Sequence, residues 1–191
     1  MKKTLIITDF DGTLFDTFLV NYKSYQTAFK LCGLSLDIDT YKQCFGLRFN
    51  EFMNFVGITD VSIQQKIKTI KAAEYIKNVD CIRLNKNLVN FLKLAKENGI
   101  TICVASTASK TNLMNVLTHF KIDNLFSFIV TGEDVENGKP SPEVYLKTIE
   151  IAGIIRNRII QPSEVLIFED SDVGIQAANA AGIDYIQVIK F

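Results

Sequence analysis

Five short, nearly uninterrupted apolar runs constrain the fold of this chain most: Leu5-Ile6-Ile7, Ile100 to Ala105, Phe128-Ile129-Val130, Val165 to Phe168 and Tyr185 to Ile189. A strand with one wet face alternates apolar and polar residues, whereas a continuous run suits a strand covered on both faces, as in a parallel sheet. Between the runs lie helical patterns. Leu88, Phe91, Leu92 and Ala95 fall at i, i+3, i+4 and i+7 and stop at Asn98-Gly99; Leu113, Val116, Leu117 and Phe120 repeat the spacing. Ser141-Pro142 predicts an N-cap with proline in the first turn, opening a helix through about Ala152. Buried strands alternating with amphipathic helices predict an α/β fold, a doubly wound parallel sheet.

Residues 16–83 break that alternation. They carry helical spacing at Tyr22, Tyr25, Gln26 and Phe29, and again over Val61 to Asn78 through Ile63, Ile67, Ile70 and Ala73, without a good strand. The expected organisation is an α/β core over 1–15 and 84–191, with an inserted α-helical domain over 16–83. Phe15 to Thr17 and Asn78 to Asn85 read as its linkers. Phe45, Phe49, Phe52 and Phe55 read as its own core, and Asp16 and Thr17 as caps of its first helix.

Composition narrows the function classes. A hydrophobic fraction of 48% over 191 residues supports a packed globular protein. Twenty-one basic and 21 acidic residues cancel, so no global field draws the chain to nucleic acid or to an anionic membrane. No apolar run approaches the roughly 18–20 residues of a membrane span, and the charged start Met1-Lys2-Lys3 leads into a run too short for a secretory signal. Cys32, Cys44, Cys81 and Cys103 form no CxxC pair, which fits a reducing, cytoplasmic setting and ordinary packing. A monomer is the default expectation.

In an open parallel sheet, ligands bind beyond the carboxyl ends of the strands. The residues just past four of the runs are Asp9 and Asp11; Ser106 and Thr107; Thr131 to Asp134; and Glu169-Asp170-Ser171-Asp172. Gly138-Lys139-Pro140 adds one lysine in a tight loop on the same side. Two carboxylates two residues apart each raise the cost of ionising the other, unless a cation or an ammonium group compensates. Acidic oxygens from separate loops suit a hard cation such as Mg²⁺. A lysine and a hydroxyl beside it suit a phosphoryl group, and an attacking carboxylate would give an aspartyl-phosphate intermediate.

Asp9-Phe10-Asp11-Gly12-Thr13, the strand-end Ser106, Gly138-Lys139-Pro140-Ser141-Pro142, and Phe168-Glu169-Asp170-Ser171 with Gly174 and Ala177 to Gly182 resemble the four ordered motifs of the haloacid dehalogenase superfamily. The resemblance covers essentially the whole chain. The insert is similar to the cap of its β-phosphoglucomutase and phosphoglycolate phosphatase branch. The resemblance implies a Rossmann-like core and a Mg²⁺-dependent phosphatase acting on a small phosphorylated metabolite. On that pattern Asp9 is the nucleophile and a metal ligand, while Asp11 is general acid and then base and lends its main-chain carbonyl to the metal. Ser106, Thr107 and Lys139 hold phosphoryl oxygens, and Gly12 and Thr13 present backbone N–H groups to them. Asp170 binds Mg²⁺ directly and Glu169 holds it through water. Arg48, in the cap loop Gly46-Leu47-Arg48-Phe49, is the candidate for pairing with a second anionic group of the substrate.

Other polar residues read more plainly. Asp172 is expected to cap the last core helix, Glu133 and Asp134 to be turn residues, and His119, the only histidine, to sit at a helix end. Two further readings remain. A phosphomutase would use the same core, but sequences of that type usually carry a histidine where this chain has Asn21 and often lack Thr13. A retired phosphate-binding regulator would not need every motif residue intact. Dehalogenase chemistry is disfavoured, because that branch lacks the second aspartate present here as Asp11.

Overall fold

The computed structural model describes residues 2–189 and 191; Met1, part of the charged start, and Lys190 lie outside them. Along the chain the elements are β1 (Leu5–Thr8), β2 (Phe15–Asp16), α1 (Phe18–Leu31), α2 (Ile38–Cys44), α3 (Phe49–Phe55), α4 (Val61–Lys77), β3 (Arg83–Leu84), α5 (Lys86–Glu97), β4 (Thr101–Ala105), α6 (Lys110–His119), β5 (Phe128–Val130), α7 (Glu143–Arg156), β6 (Val165–Glu169), α8 (Asp172–Ala180) and β7 (Asp184–Gln187). They fall into two compact units. One runs through Asp16 and resumes at Leu84; the other is Thr17–Arg83. Among the described residues no helix is long and apolar enough to cross a membrane, and the four cysteines are free.

The first unit is built on a five-stranded parallel sheet in the order β5, β4, β1, β6, β7. Leu5 pairs with Thr101 on one side and Val165 on the other, and Thr8 with Val104 and Phe168, so the three central strands end level. From β1 the chain moves outward to β4 and β5, then returns to β6 on the opposite side. The strand order therefore reverses at β1, the place where open α/β sheets form a ligand crevice. Leu5 and Ile7 point into a core with Cys103, Val130, Val144, Tyr145, Ile167 and Ala177. Ile6, Ile102 and Val104, on the opposite pleat, are equally buried. Both faces of the central strands are therefore dry, as their unbroken apolar runs require.

The edges depart from the sequence reading. The last strand is Asp184–Gln187 rather than Tyr185 to Ile189, and all four of its residues are exposed, because it has a neighbour on one side only. β5, the other edge, is partly exposed as well. In α5 the buried face is Leu88, Val89, Leu92 and Ala95, while Phe91 is half exposed and meets the Phe168 ring edge-on. α7 begins one turn position later than Ser141-Pro142 implies. Pro142 itself is the N-cap residue, Ser141 Oγ accepts from Glu143 N at 3.4 Å, and the helix continues to Arg156, ending at left-handed Asn157. Ser171, not Asp172, caps α8 by accepting from Gly174 N. Asp134 closes the turn after β5 by accepting from both Thr131 N and Oγ1, and Glu133 accepts from Lys110 N at the start of α6.

The second unit is built from the helices α1 to α4, joined by short turns, with α1 against α4. Ala28, Phe29, Tyr41, Phe52, Met53 and Ile67 are its buried centre. Phe45 and Phe49 pack against this cluster, whereas Phe55 is exposed rather than buried. Thr17 stands at the N-cap of α1, as expected by position, but its side chain makes no capping bond there. Asp37 and Asp60 do cap, at α2 and α4. Ile67 has no exposed surface. Ile67→Ala should lower the stability of the Thr17–Arg83 unit by about 2–5 kcal/mol. Hydrogen exchange should then quicken in α1 and α4 and stay unchanged in β1, β4 and β6; intact protection of α1 and α4 would contradict this packing.

Candidate active site

The site begins where β1 stops. Asp9 N donates to Phe168 O at 2.9 Å, extending the β1–β6 ladder by one residue and leaving the Asp9 carboxyl at the strand end, 6% exposed. The chain then folds back on itself. Leu14 N and Phe15 N both donate to Phe10 O, and Gly12 N donates to Phe15 O at 2.7 Å. The fully buried rings of Phe10 and Phe15, 5.0 Å apart, anchor this turn in the core. Gly12 is required twice over. Its φ is +88°, and a Cβ there would lie 2.1 Å from Asp170 Oδ2. Thr13 Oγ1 donates to Asp170 Oδ1 at 2.9 Å, a side-chain role that its backbone reading did not include.

Lys139 joins the loops. Its Nζ lies 2.6 Å from Asp9 Oδ1 and 2.6 Å from Glu169 Oε2, with 5% of the side chain exposed. The loop that carries it is held by Glu143, in the first turn of α7, which accepts from Glu136 N at 2.7 Å and Asn137 N at 2.8 Å. Glu169 is fully engaged. Oε2 also accepts from Tyr145 Oη at 2.6 Å, and Oε1 accepts from Ser171 N at 3.1 Å and Ser171 Oγ at 2.7 Å. A Cβ at Gly174 would sit 2.0 Å from Glu169 Cδ, so α8 can approach this carboxylate only with a glycine there.

Among the described residues, carboxylate oxygens of Asp9, Glu169 and Asp170 come within 4.8 Å of one another. Two of the three, Asp9 and Glu169, share the Lys139 ammonium. Burial pushes the Asp9 carboxyl well above the usual range and the Glu169 charge adds to this, while Lys139 opposes it. Burial raises Asp170 to about 6, against the Thr13 hydrogen bond. Burial acts on Glu169 in the same sense, but there the Lys139 ammonium, Tyr145 and Ser171 prevail and hold it below its ordinary value. Burial alone would lower Lys139; Asp9, Tyr145 and Glu169 outweigh it and keep the ammonium charged. An all-oxygen donor set with excess buried negative charge fits a hard divalent cation such as Mg²⁺.

Of the residues singled out in the sequence, Asp9, Gly12, Thr13, Lys139, Glu169 and Asp170 are brought together. Ser106 follows β4, buried, with its N–H on Val130 O and its Oγ accepting from Ala108 N at 3.1 Å. Thr107 is half-buried, and Gly132 approaches its carbonyl so closely that a Cβ would be 2.8 Å away. Asp11, half-buried, lies in the turn after β1, and its carboxylate is not one of the three that cluster. Arg48 belongs to the Thr17–Arg83 unit, where it is the N-cap residue of α3 and its N–H donates to Glu51 Oε2 at 3.0 Å. Tyr145 escaped the sequence reading because a tyrosine on an apolar helix face looks like packing; its position six residues after Lys139 was the available signal.

A parallel sheet with acidic loops at the carboxyl ends of β1 and β6 and a lysine between them defines a class of hydrolase core. Residues 6–188 match the family described as haloacid dehalogenase-like hydrolase, and the chain belongs to that family. It is 26% identical over 185 residues to a phosphorylated carbohydrates phosphatase of Thermotoga maritima, covering 95% of this chain and 82% of the relative. It is 25% identical to the fructose-1-phosphate phosphatase of Escherichia coli, covering 96% of this chain and 95% of the relative. Among solved structures, β-phosphoglucomutase of Clostridium difficile superposes with a TM-score of 0.80 at 25% identity, over 98% of this chain and 85% of that one.

Removing one partner from a buried ionic cluster leaves the others uncompensated. Lys139→Met should therefore destabilise the metal-free protein by about 3–5 kcal/mol at neutral pH. The loss should shrink in mild acid, where the crowded carboxylates take up protons. Equal urea midpoints for wild type and variant at neutral pH would show that the ammonium does not balance the site.

Proposed function

We propose that this chain is a Mg²⁺-dependent phosphatase that hydrolyses the phosphomonoester of a small phosphorylated metabolite, a sugar phosphate before others, through an aspartyl-phosphate intermediate. The observation that carries the reading is Asp9, buried at the end of β1, ion-paired to Lys139 and flanked by Asp170 and Glu169. The two phosphatase relatives named above support the substrate class. Asp9 and Asp170 would hold the metal together with the main-chain carbonyl of Asp11; Glu169, already accepting four hydrogen bonds, would reach it through water. Bound Mg²⁺ would offset phosphoryl charge and orient the substrate.

In the first step an Asp9 carboxylate oxygen forms a bond to phosphorus while the bond from phosphorus to the substrate oxygen breaks. Asp11 gives its proton to that leaving oxygen. In the second, Asp11 takes a proton from water as the water oxygen attacks phosphorus, releasing inorganic phosphate and restoring Asp9. Lys139 and Ser106, with the backbone N–H group of Thr13 and the Thr107 loop, would hold the phosphoryl oxygens, whereas the Gly12 N–H expected to join them is already given to Phe15 O. The segment 16–83 is read as the cap that selects the substrate, with Arg48 as its contact to a second anion.

A phosphomutase reading draws support from the β-phosphoglucomutase neighbour, against which stands Asn21 in place of histidine. β-Glucose 1-phosphate with a trace of the bisphosphate separates the two: free phosphate alone supports the phosphatase, and glucose 6-phosphate supports the mutase. Asp9→Asn should abolish Mg²⁺-dependent release of phosphate from an aryl phosphate. Asp11→Asn should slow turnover by about 10²–10⁴, the usual range for a lost general acid–base, while Mg²⁺ still binds by calorimetry. Wild-type turnover in either variant contradicts the corresponding role.

A further inference from the structure

We propose that Tyr145 is a positioning residue whose hydroxyl and ring together fix the Lys139 ammonium between Asp9 and Glu169. The inference deepens the phosphatase reading of the same site and rests on it for its kinetic consequence. Tyr145 lies in the first turn of α7 with no exposed surface, in a cluster whose neighbours Val144, Ala152, Ala177 and Ala178 are apolar. Packing there would call only for a ring, because burying a hydroxyl among aliphatic groups is unfavourable without a partner. The partner is Glu169 Oε2 at 2.6 Å, the oxygen that also takes Lys139 at 2.6 Å.

With Tyr145 on Oε2 and Ser171 N–H and Oγ–H on Oε1, the Glu169 carboxylate is held in one orientation, with Oε2 toward the lysine. The ring adds a second restraint, since Lys139 Nζ lies 5.2 Å from its centroid, within cation–π range. Asp9 Oδ1 supplies the third point. Glu143, two residues earlier in the same turn, holds the backbone of the lysine loop. One helical turn thus fixes both the loop and the head of the side chain. An ammonium held this way would need little reorganisation when charge develops on a transferring phosphoryl group.

Tyr145→Phe keeps the ring and removes only the hydroxyl. In lysine-selective ¹⁵N NMR of the full chain, wild type should show an Nζ resonance that is absent from Lys139→Met. In Tyr145→Phe that resonance should shift or broaden, while amide signals of β1, β4 and β6 stay in place. With an aryl phosphate and Mg²⁺, kcat should fall about tenfold with KM changed less, a loss in the transition state. The same substitution in a Lys139→Met background should change kcat no further. An unchanged Nζ resonance overturns the proposal, as does an unchanged kcat in an active enzyme or a full additive loss in the double variant. If wild type releases no phosphate from any substrate while the resonance still responds, the phosphatase reading fails and the positioning role of Tyr145 stands.

Discussion

Lys139 gives one ammonium to two carboxylates, Asp9 and Glu169, at 2.6 Å each, inside a site that leaves it almost no solvent. Much of the local architecture can be understood as what this contact requires. The lysine must be charged where burial opposes charge, and the carboxylates must approach one another where repulsion opposes it. Tyr145, Ser171 and Thr13 supply the hydrogen bonds that keep Glu169 and Asp170 oriented. Gly12 and Gly174 supply the space, since a methyl group at either position would overlap a carboxylate. The clustered carboxylate oxygens are what make the site fit for a divalent cation and, on the proposed function, for the phosphoryl group beside it.

The parallel sheet brings these groups together with little help from the loops. β1, β4 and β6 end level, so Asp9, Ser106 and Glu169 leave the sheet at one edge. Because the strand order reverses at β1, the connections diverge there, and Asp9, almost wholly buried, sits where they part. α7 contributes from the side: its first turn holds the lysine loop through Glu143 and the lysine partner through Tyr145. The chain belongs to the haloacid dehalogenase-like hydrolases, and these hydrogen bonds describe how it builds its own arrangement.

Much of this was legible in the residues. The unbroken runs Leu5 to Ile7 and Val165 to Phe168 imply strands dry on both faces, and the positions that follow them supply the clustered carboxylates Asp9, Glu169 and Asp170. Legibility failed where tertiary context decides. β7 is as apolar as a buried strand over part of its length, yet exposed, because sheet order rather than local sequence makes an edge. α2 and α3, seven residues each, are too short to show a period and are held by the aromatic cluster around Tyr41 and Phe52. Ser171 and Asp172 are both good caps, and only the backbone turn chooses between them. Tyr145 looks like packing until Glu169 is placed against its hydroxyl. Arg48 shows the other limit, since its residue type suggests an anion partner and its sequence does not identify one.

The central claim is that Asp9 attacks phosphorus and carries the phosphoryl group between two half-reactions. The most direct measurement is mass spectrometry of enzyme quenched in acid during turnover of a sugar phosphate with Mg²⁺, followed by peptide mapping. The account predicts a phosphoryl adduct on the peptide containing Asp9, formed and lost on the timescale of turnover and missing from Asp9→Asn. Turnover with no adduct at any time, or an adduct on a peptide lacking Asp9, would contradict it.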